Sequence, residues 1–462
     1  MSAPTTQVFY CSTLLSAMTI AAGIDAGRFG AGDRRVVIVS DNGPAPEIGT
    51  SLAQSPGFAV LRDRVDRVVS WNDLIAPLHP SAWSPRDVEV PMLARALLAH
   101  LGLEEPPGEL VVESIAVAPA RAVATLLRDC PVSVVSDGLM SYGPTRNHLP
   151  GELGSRMRRV LYLDLVPALR PVLLREEGVD TDALPDEPVL KVMAEATSVP
   201  ALADAVVSLP RGGALVLGQY LSALDIMTPA QEATLYADMV RAAARAGHRQ
   251  VLFKAHPAAD RAQAGTVRAA AAEAGVRLTV VPPYLPAELC FAEGRPDLVV
   301  GCFSTALLTA RSLFGLEVAT MGARQVLDAL TPYQNSNRIP VTIVDAVVPR
   351  LNQDGTTTGA EMAAADLTEL VEAVSFCMQP TMLPELRPAA ERWLARHGST
   401  RYFTRRRLRA TGLAPTSRAR TRLADSRIAH WDATRGGLRR ARAFRARVDV
   451  TRRAARGGTP SR

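Results

Sequence analysis

The chain has 462 residues, too many for one ordinary hydrophobic core, and its 47% apolar content supports two or three separate ones. Its net charge of +6 is uneven: residues 401–462 carry 19 Arg and 3 Asp, while the preceding 400 residues hold 33 basic and 43 acidic groups. Five cysteines without CxxC spacing argue against a zinc site or a disulfide framework, and no run reaches the roughly 18 apolar residues of a membrane span.

In chain order, Gln7–Cys11 reads as a buried strand, followed by a helix from about Thr13 to Ala26 with Gly27 as its stop. Residues 1–24 carry no charged side chain, but the basic start of a signal peptide is missing and hydroxyl residues interrupt the run, so a cytoplasmic protein is expected. Arg35–Ser40 and Arg67–Trp71 are further strands, and a helix is expected over Pro85–Leu101. Glu109–Ser114 is a strand, Pro119–Asp129 a helix, and Val132–Val135 a strand that delivers Asp137. Residues 144–187, with the basic patch Arg156, Arg158 and Arg159 and several prolines, read as loop and connection.

The alternation then restarts. Strands are expected at Ala214–Leu217, Gln250–Lys254, Arg277–Val280, Asp297–Gly301 and Glu317–Met321. Helices are expected at Thr228–Ala246, Asp260–Ala274, Pro286–Ala292, Ser304–Leu313, Ala360–Cys377 and Pro384–His397. Repeated β-α-β spacing implies two doubly wound α/β halves with parallel sheets. The expected division is 1–187, 188–398 and an Arg-rich tail, 399–462.

In open α/β sheets ligands bind beyond the carboxyl ends of the strands, where Asp137, His256 and Ser304-Thr305 all fall. A carboxylate at Asp137, little covered by the following Gly138, can accept a proton from a hydroxyl nucleophile; taken alone, Asp-Gly is more often a simple turn. His256, followed by Pro257, can neutralise a departing phosphate or give it a proton, although a His after a buried strand is more often structural. Lys254 adds a second positive group, provided the strand persists far enough to put both on one face. Ser304 and Thr305 open a helix whose free N–H groups favour an anion, and plain N-capping is an equal reading. Ser12-Thr13 repeats that pattern in the first half and would line the cleft. Gly218 and Gln219 would face the cleft too; Tyr220 could stack on a base or sugar, and an ordinary half-buried aromatic is an equal reading. P-loop, GxGxxG, GxSxG and HExxH motifs are absent, which disfavours P-loop, dinucleotide, serine-hydrolase and zincin chemistry; no metal site is expected.

Ser136-Asp137-Gly138, His256-Pro257 and Ser304-Thr305, in that order, together with the opening Gln7-Val8-Phe9-Tyr10-Cys11-Ser12-Thr13-Leu14, resemble the bacterial sialyltransferases, most closely the alpha-2,8-polysialyltransferase-like family. The resemblance covers roughly residues 6–345. It implies a GT-B fold, with two Rossmann-like domains facing a central cleft. It also implies a CMP-sialic acid or similar CMP-sugar donor, a glycan or glycolipid acceptor, inverting transfer, and neither metal nor other cofactor. Asp137 would be the general base, His256 the group that stabilises the departing CMP phosphate, and Ser304 and Thr305 its binding site. Ser136 stands where the family's motif carries its first acidic residue, which leaves donor and acceptor choice open. Another GT-B nucleotide-sugar transferase or epimerase, or a non-catalytic nucleotide- or glycan-binding protein, remain the alternatives. The tail's arginines, interspersed with Leu408, Leu413, Leu423, Ile428, Trp431 and Phe444, fit peripheral contact with an anionic inner membrane face, or a solvated extension. No nucleic-acid module is recognised in it.

Overall fold

The protein is described by a computed structural model that covers residues 5–43, 45–167, 169–256, 263–359 and 362–414. Two seven-stranded sheets form the body. The first holds β1 (Thr6–Cys11), β2 (Arg34–Val39), β3 (Arg67–Ser70), β4 (Glu109–Val112), β5 (Val132–Ser136), β6 (Met157–Leu163) and β7 (Asp180–Leu184), in the order β3-β2-β1-β4-β5-β6-β7. The second holds β8 (Ala214–Leu217), β9 (Gln250–Lys254), β10 (Arg277–Val280), β11 (Leu298–Gly301), β12 (Val318–Thr320), β13 (Arg350–Leu351) and β14 (Thr357–Thr358), in the order β10-β9-β8-β11-β12-β13-β14. Neighbours are parallel throughout, except the antiparallel pair β13–β14 at one edge.

The central strands are apolar on both faces because helices cover both. Val8, Tyr10, Val36, Ile38, Val112 and Val134 sit in one continuous core with Trp71 and Leu97. Each such side chain removed from water contributes about 1.5–3 kcal/mol. Helix starts follow local chemistry. Thr13 caps Leu14–Asp25, its hydroxyl oxygen accepting from Ser16 N–H at 3.0 Å. Thr228 and Gln231 form a reciprocal capping box at the head of Pro229–Arg245.

The stretch expected to be loop, 144–187, instead carries β6 and β7. Its arginines are structural. Arg156 donates to the carbonyls of Ala124, Leu127 and Cys130, and Arg159 pairs with Glu109 at 2.9 Å; Arg158 alone is exposed. β7 is an edge strand of alternating acidic residues, Asp180-Thr181-Asp182-Ala183-Leu184, and Arg28 pairs with Asp182 at 3.1 Å. A further unexpected helix, Arg338–Val347, is buried along all ten residues. Its Pro340 and β-branched Val, Ile and Thr side chains have low helix propensity and favour a turn or strand reading of the sequence.

A second unit begins at His397. Its described part contains the helix Arg405–Ala410, capped by Thr404, whose hydroxyl oxygen accepts from Arg407 N–H at 3.2 Å. The expected membrane contact falls mainly on residues 415–462, outside the described residues. No helix among the described residues is long and apolar enough to cross a membrane.

Candidate functional site

Both sheets reverse direction of winding at the same place, between β1 and β4 in one and between β8 and β11 in the other. A crevice opens at the carboxyl ends of strands flanking such a point. Here the crevices of both sheets merge into one cavity of about 700 Å³. From the first sheet Ser12, Asp137 and Gly138 line it, together with Ser40 and Asp41 at the end of β2. From the second come Gly218, Lys254, His256, Ser304 and Thr305, joined by Glu288. The two sheets therefore face a central cleft, which is the GT-B arrangement.

On the first wall, Asp137 follows β5 directly. Removal from water, then the negative charges of Glu113 and Glu288, push its carboxyl up to about 7. Glu113, one residue beyond β4, was not singled out in the sequence. It accepts from the Ser12 backbone N–H at 2.8 Å and from the Ser12 hydroxyl. Burial raises its own affinity for a proton, and the Ser12 contacts oppose that shift. Ser12 thus lines the cleft while tying β1 to β4 across the switch point. Glu113, at the end of the strand next to β5, puts a second negative charge close enough to raise the Asp137 carboxyl. The only signal for it in the sequence is its place at the end of a central strand.

On the second wall, Lys254 ends β9 and is almost fully buried. Its ammonium donates to the carbonyls of Ala255 at 2.8 Å and Pro283 at 3.3 Å, and burial lowers its hold on the proton. His256 lies against Tyr220, with ring centroids 4.1 Å apart. Tyr220, read from the sequence as either a ligand-stacking or an ordinary half-buried aromatic, thus packs at a tilt against the histidine. Burial, followed by repulsion from Lys254, lowers the His256 pKa to about 4, so the ring is neutral at pH 7 before any anion arrives. Glu288, buried at the start of the helix Ala287–Gly294, was also missed; desolvation raises its pKa. Pro257 lies outside the described residues.

Gln219 is not part of the cavity lining. Its side-chain oxygen accepts from Phe303 N–H at 3.0 Å, and its own N–H meets the Tyr236 hydroxyl at 2.6 Å. It holds the turn after β11 against the end of β8. Ser304 caps the helix Thr305–Phe314, its hydroxyl oxygen accepting from Ala306 N–H at 3.3 Å, and so places that helix N-terminus at the cavity.

The walls touch where the turn after Asp137 meets the head of the helix Thr305–Phe314. Leu139 N–H donates to the Thr305 hydroxyl at 3.2 Å, and a Cβ on Gly138 would sit 3.1 Å from the same oxygen. Within the second wall, Gly218 makes another close approach, where a Cβ would stand 3.2 Å from Ala255 Cα. Glycine at both positions lets backbone pass where a side chain would crowd. Behind the first contact, Ile339 of the helix Arg338–Val347 packs on Gly143 and steadies the turn after Asp137. Among the described residues, no group of three His, Cys, Asp or Glu is placed to hold a metal ion.

A cleft of this size, mostly apolar in its lining but with a buried carboxyl on one wall and Lys254 and a helix N-terminus on the other, suits group transfer between two bound molecules. Among solved structures, the chain is similar to a sialyltransferase from Photobacterium damsela, at 12% identity over 70% of this chain and 76% of that one, with a TM-score of 0.37. It is similar to a UDP-glucose:anthocyanidin 3-O-glucosyltransferase in complex with UDP, at 11% identity over 86% and 100% of the two chains and a TM-score of 0.41. Acinetobacter baumannii MurG gives 12% identity over 84% and 94%, with a TM-score of 0.35. No curated protein sequence matches the chain. A sequence profile of the alpha-2,8-polysialyltransferase (POLYST) family matches residues 7–323, from β1 through the helix that Ser304 caps and past β12. That match contains every described residue assigned to the cleft walls, and the chain belongs to the alpha-2,8-polysialyltransferase family, as a sialyltransferase-like glycosyltransferase.

Proposed function

We propose that the enzyme transfers sialic acid, or a related ulosonic acid, from a CMP-sugar to a hydroxyl of a cell-surface glycan precursor, with inversion at the anomeric carbon. The observation that carries this reading is the shared cavity, in which Asp137 stands on one wall and His256, Ser304 and Thr305 on the other. In the proposed step the acceptor hydroxyl gives its proton to the Asp137 carboxylate and its oxygen bonds to the anomeric carbon. The bond from that carbon to the phosphate oxygen breaks, and its electron pair leaves with CMP. A carboxyl poised near pH 7 is half in its basic form at neutral pH, which suits a general base.

The leaving phosphate is anionic. N–H groups at the head of Thr305–Phe314, the Ser304 and Thr305 hydroxyls and the His256 ring are the groups assigned to it, and their stabilisation grows as the bond breaks. A phosphate beside His256 raises the imidazole's affinity for a proton, so donor binding favours the protonated ring that can neutralise the departing phosphate or give it a proton. Neither metal nor cofactor has a part in this scheme.

The test is a thermal-shift series on the full chain. CMP raises the melting temperature, while UDP, GDP and NAD at equal concentration leave it unchanged. A shift with UDP and none with CMP would replace the donor class.

A further inference from the structure

The turn that follows β8 is held by a carboxylate that lies behind the cleft lining. Glu232 sits in the first turn of the helix Pro229–Arg245 and is fully buried. Its Oε1 accepts from Leu221 N–H at 2.8 Å, and its Oε2 accepts from Ser222 N–H at 2.9 Å and from the Ser222 hydroxyl at 2.5 Å. Tyr236, one turn along the same helix, brings its hydroxyl to 2.6 Å from Glu232 Oε1, and the hydroxyl oxygen accepts from Gln219 N–H at 2.6 Å. Gly218 N–H donates to the Lys254 carbonyl at 2.8 Å, at the end of β9. A charge taken out of water is costly unless donors surround it, and here the Tyr236 hydroxyl and one short turn supply them.

Residues 218–222 are thus fixed at both ends, and the side chains between those anchors lead to the cleft. Gln219 secures Phe303, next to the Ser304 cap. Tyr220 is half-buried, and its ring centroid lies 4.1 Å from that of His256, with the two planes 41° apart. Of that pair it is His256 that lines the cavity, so any effect of Tyr220 on a bound substrate passes through the imidazole. A ring packed against an aromatic neighbour loses freedom to turn about its Cβ–Cγ bond. The electron-rich face of a tyrosine also favours an imidazolium over a neutral ring. The Glu232 charge acts in the same direction, against burial and Lys254.

We propose that Tyr220 is a positioning residue for His256 and that Glu232 and Tyr236 hold it in place, so that the imidazole is fixed for the departing phosphate before the donor binds. This rests on the leaving-group role proposed above for His256, and it names the residues through which the fold secures that role. The Tyr220 ring, rather than its hydroxyl, makes the contact. The clamp acts on the step in which the bond to phosphate breaks, and contributes little to holding the intact donor.

The experiment follows acceptor-dependent CMP release from CMP-sialic acid by the full-length parent and by Tyr220→Leu, Tyr220→Phe, Glu232→Gln, His256→Ala and the pair Tyr220→Leu, His256→Ala. Tyr220→Leu is expected to lower kcat about ten-fold with donor KM within about two-fold of the parent, and Tyr220→Phe to recover most of that loss. In the His256→Ala background the same Leu substitution is expected to cost less than about two-fold, because its effect has lost its target. Glu232→Gln is expected to lower kcat several-fold, and its melting temperature is recorded alongside. Tyr220→Leu at the parent kcat, a loss carried mainly in donor KM, a Phe variant as slow as the Leu variant, or an equal fold loss with and without His256 would each overturn the inference while leaving His256 its role. A Glu232→Gln enzyme that melts like the parent and keeps its kcat would overturn the part assigned to Glu232; if it melts below the assay temperature, the Tyr220 variants decide. Transfer at the parent rate in His256→Ala would remove the leaving-group assignment first, and the clamp's purpose with it.

Discussion

The two sheets of this enzyme share one strand order and one switch point, yet they end in opposite chemistry. The strand ends of the first sheet present Asp41, Glu113 and Asp137 after β2, β4 and β5. Those of the second present Lys254 and His256 at β9 and a helix N-terminus after β11. Winding supplies the crevice in each half. What each half does there is decided by the few residues beyond the last hydrogen-bonded pair, where a side chain costs the sheet nothing. On the proposed reading, one wall takes a proton and the other receives an anion.

Removing the base breaks this contrast most severely. Asp137→Asn is expected to lower the transfer rate by about 10²–10⁴-fold, the usual reach of general base catalysis, as measured by acceptor-dependent CMP release. The pH profile comes next. Because the Asp137 carboxyl is held near 7, its basic form disappears as pH falls through that value, and kcat/KM falls with it. Glu113→Gln removes a neighbouring negative charge, so the acidic limb of the profile shifts to lower pH. A profile unchanged in that variant would show that Glu113 only secures Ser12.

The same carboxyl has a consequence for stability. Its folded-state value lies above the ordinary 3.8, so its favourable contribution is complete below pH 3.8 and is lost as pH rises through about 7. Asp137→Asn therefore melts higher than the parent at pH 8, by roughly 2–4 °C, and equally at pH 4. Gly138→Ala tests the point where the walls meet. Its Cβ must displace the Thr305 hydroxyl, and about ten-fold lower activity is expected, with partial recovery in the pair Gly138→Ala, Thr305→Ser only if the Thr305 methyl rather than its oxygen sets the spacing. The smallest effect is expected for Gln219→Leu, which frees the Phe303 N–H without touching the cavity: KM for the donor rises a few-fold while kcat changes little.

The central strands were legible because burial on both faces leaves near-continuous runs of Val, Ile and Leu, as in Arg34–Val39 and Leu298–Gly301. Strand ends were legible too, since Asp137-Gly138, His256 and Ser304-Thr305 each interrupt such a run abruptly. β6 and β7 escaped because Arg156 and Arg159 serve buried carbonyls and Glu109 in a stretch that reads as a basic surface, and because an edge strand such as Asp180–Leu184 needs no apolar period. The helix Arg338–Val347 escaped because it is buried all round and because Pro340 and a run of β-branched residues read as a turn or strand. Glu113 and Glu288 were invisible for another reason. A carboxyl becomes part of a site through neighbours brought from other strands, and one sequence does not state which strands lie side by side.

The division of labour between the walls is tested most directly by measuring CMP-sialic acid affinity and transfer rate together in Asp137→Asn. The account predicts donor affinity within about two-fold of the parent and transfer reduced at least a hundred-fold. Donor affinity lost along with the rate, or transfer that survives the substitution, would contradict it.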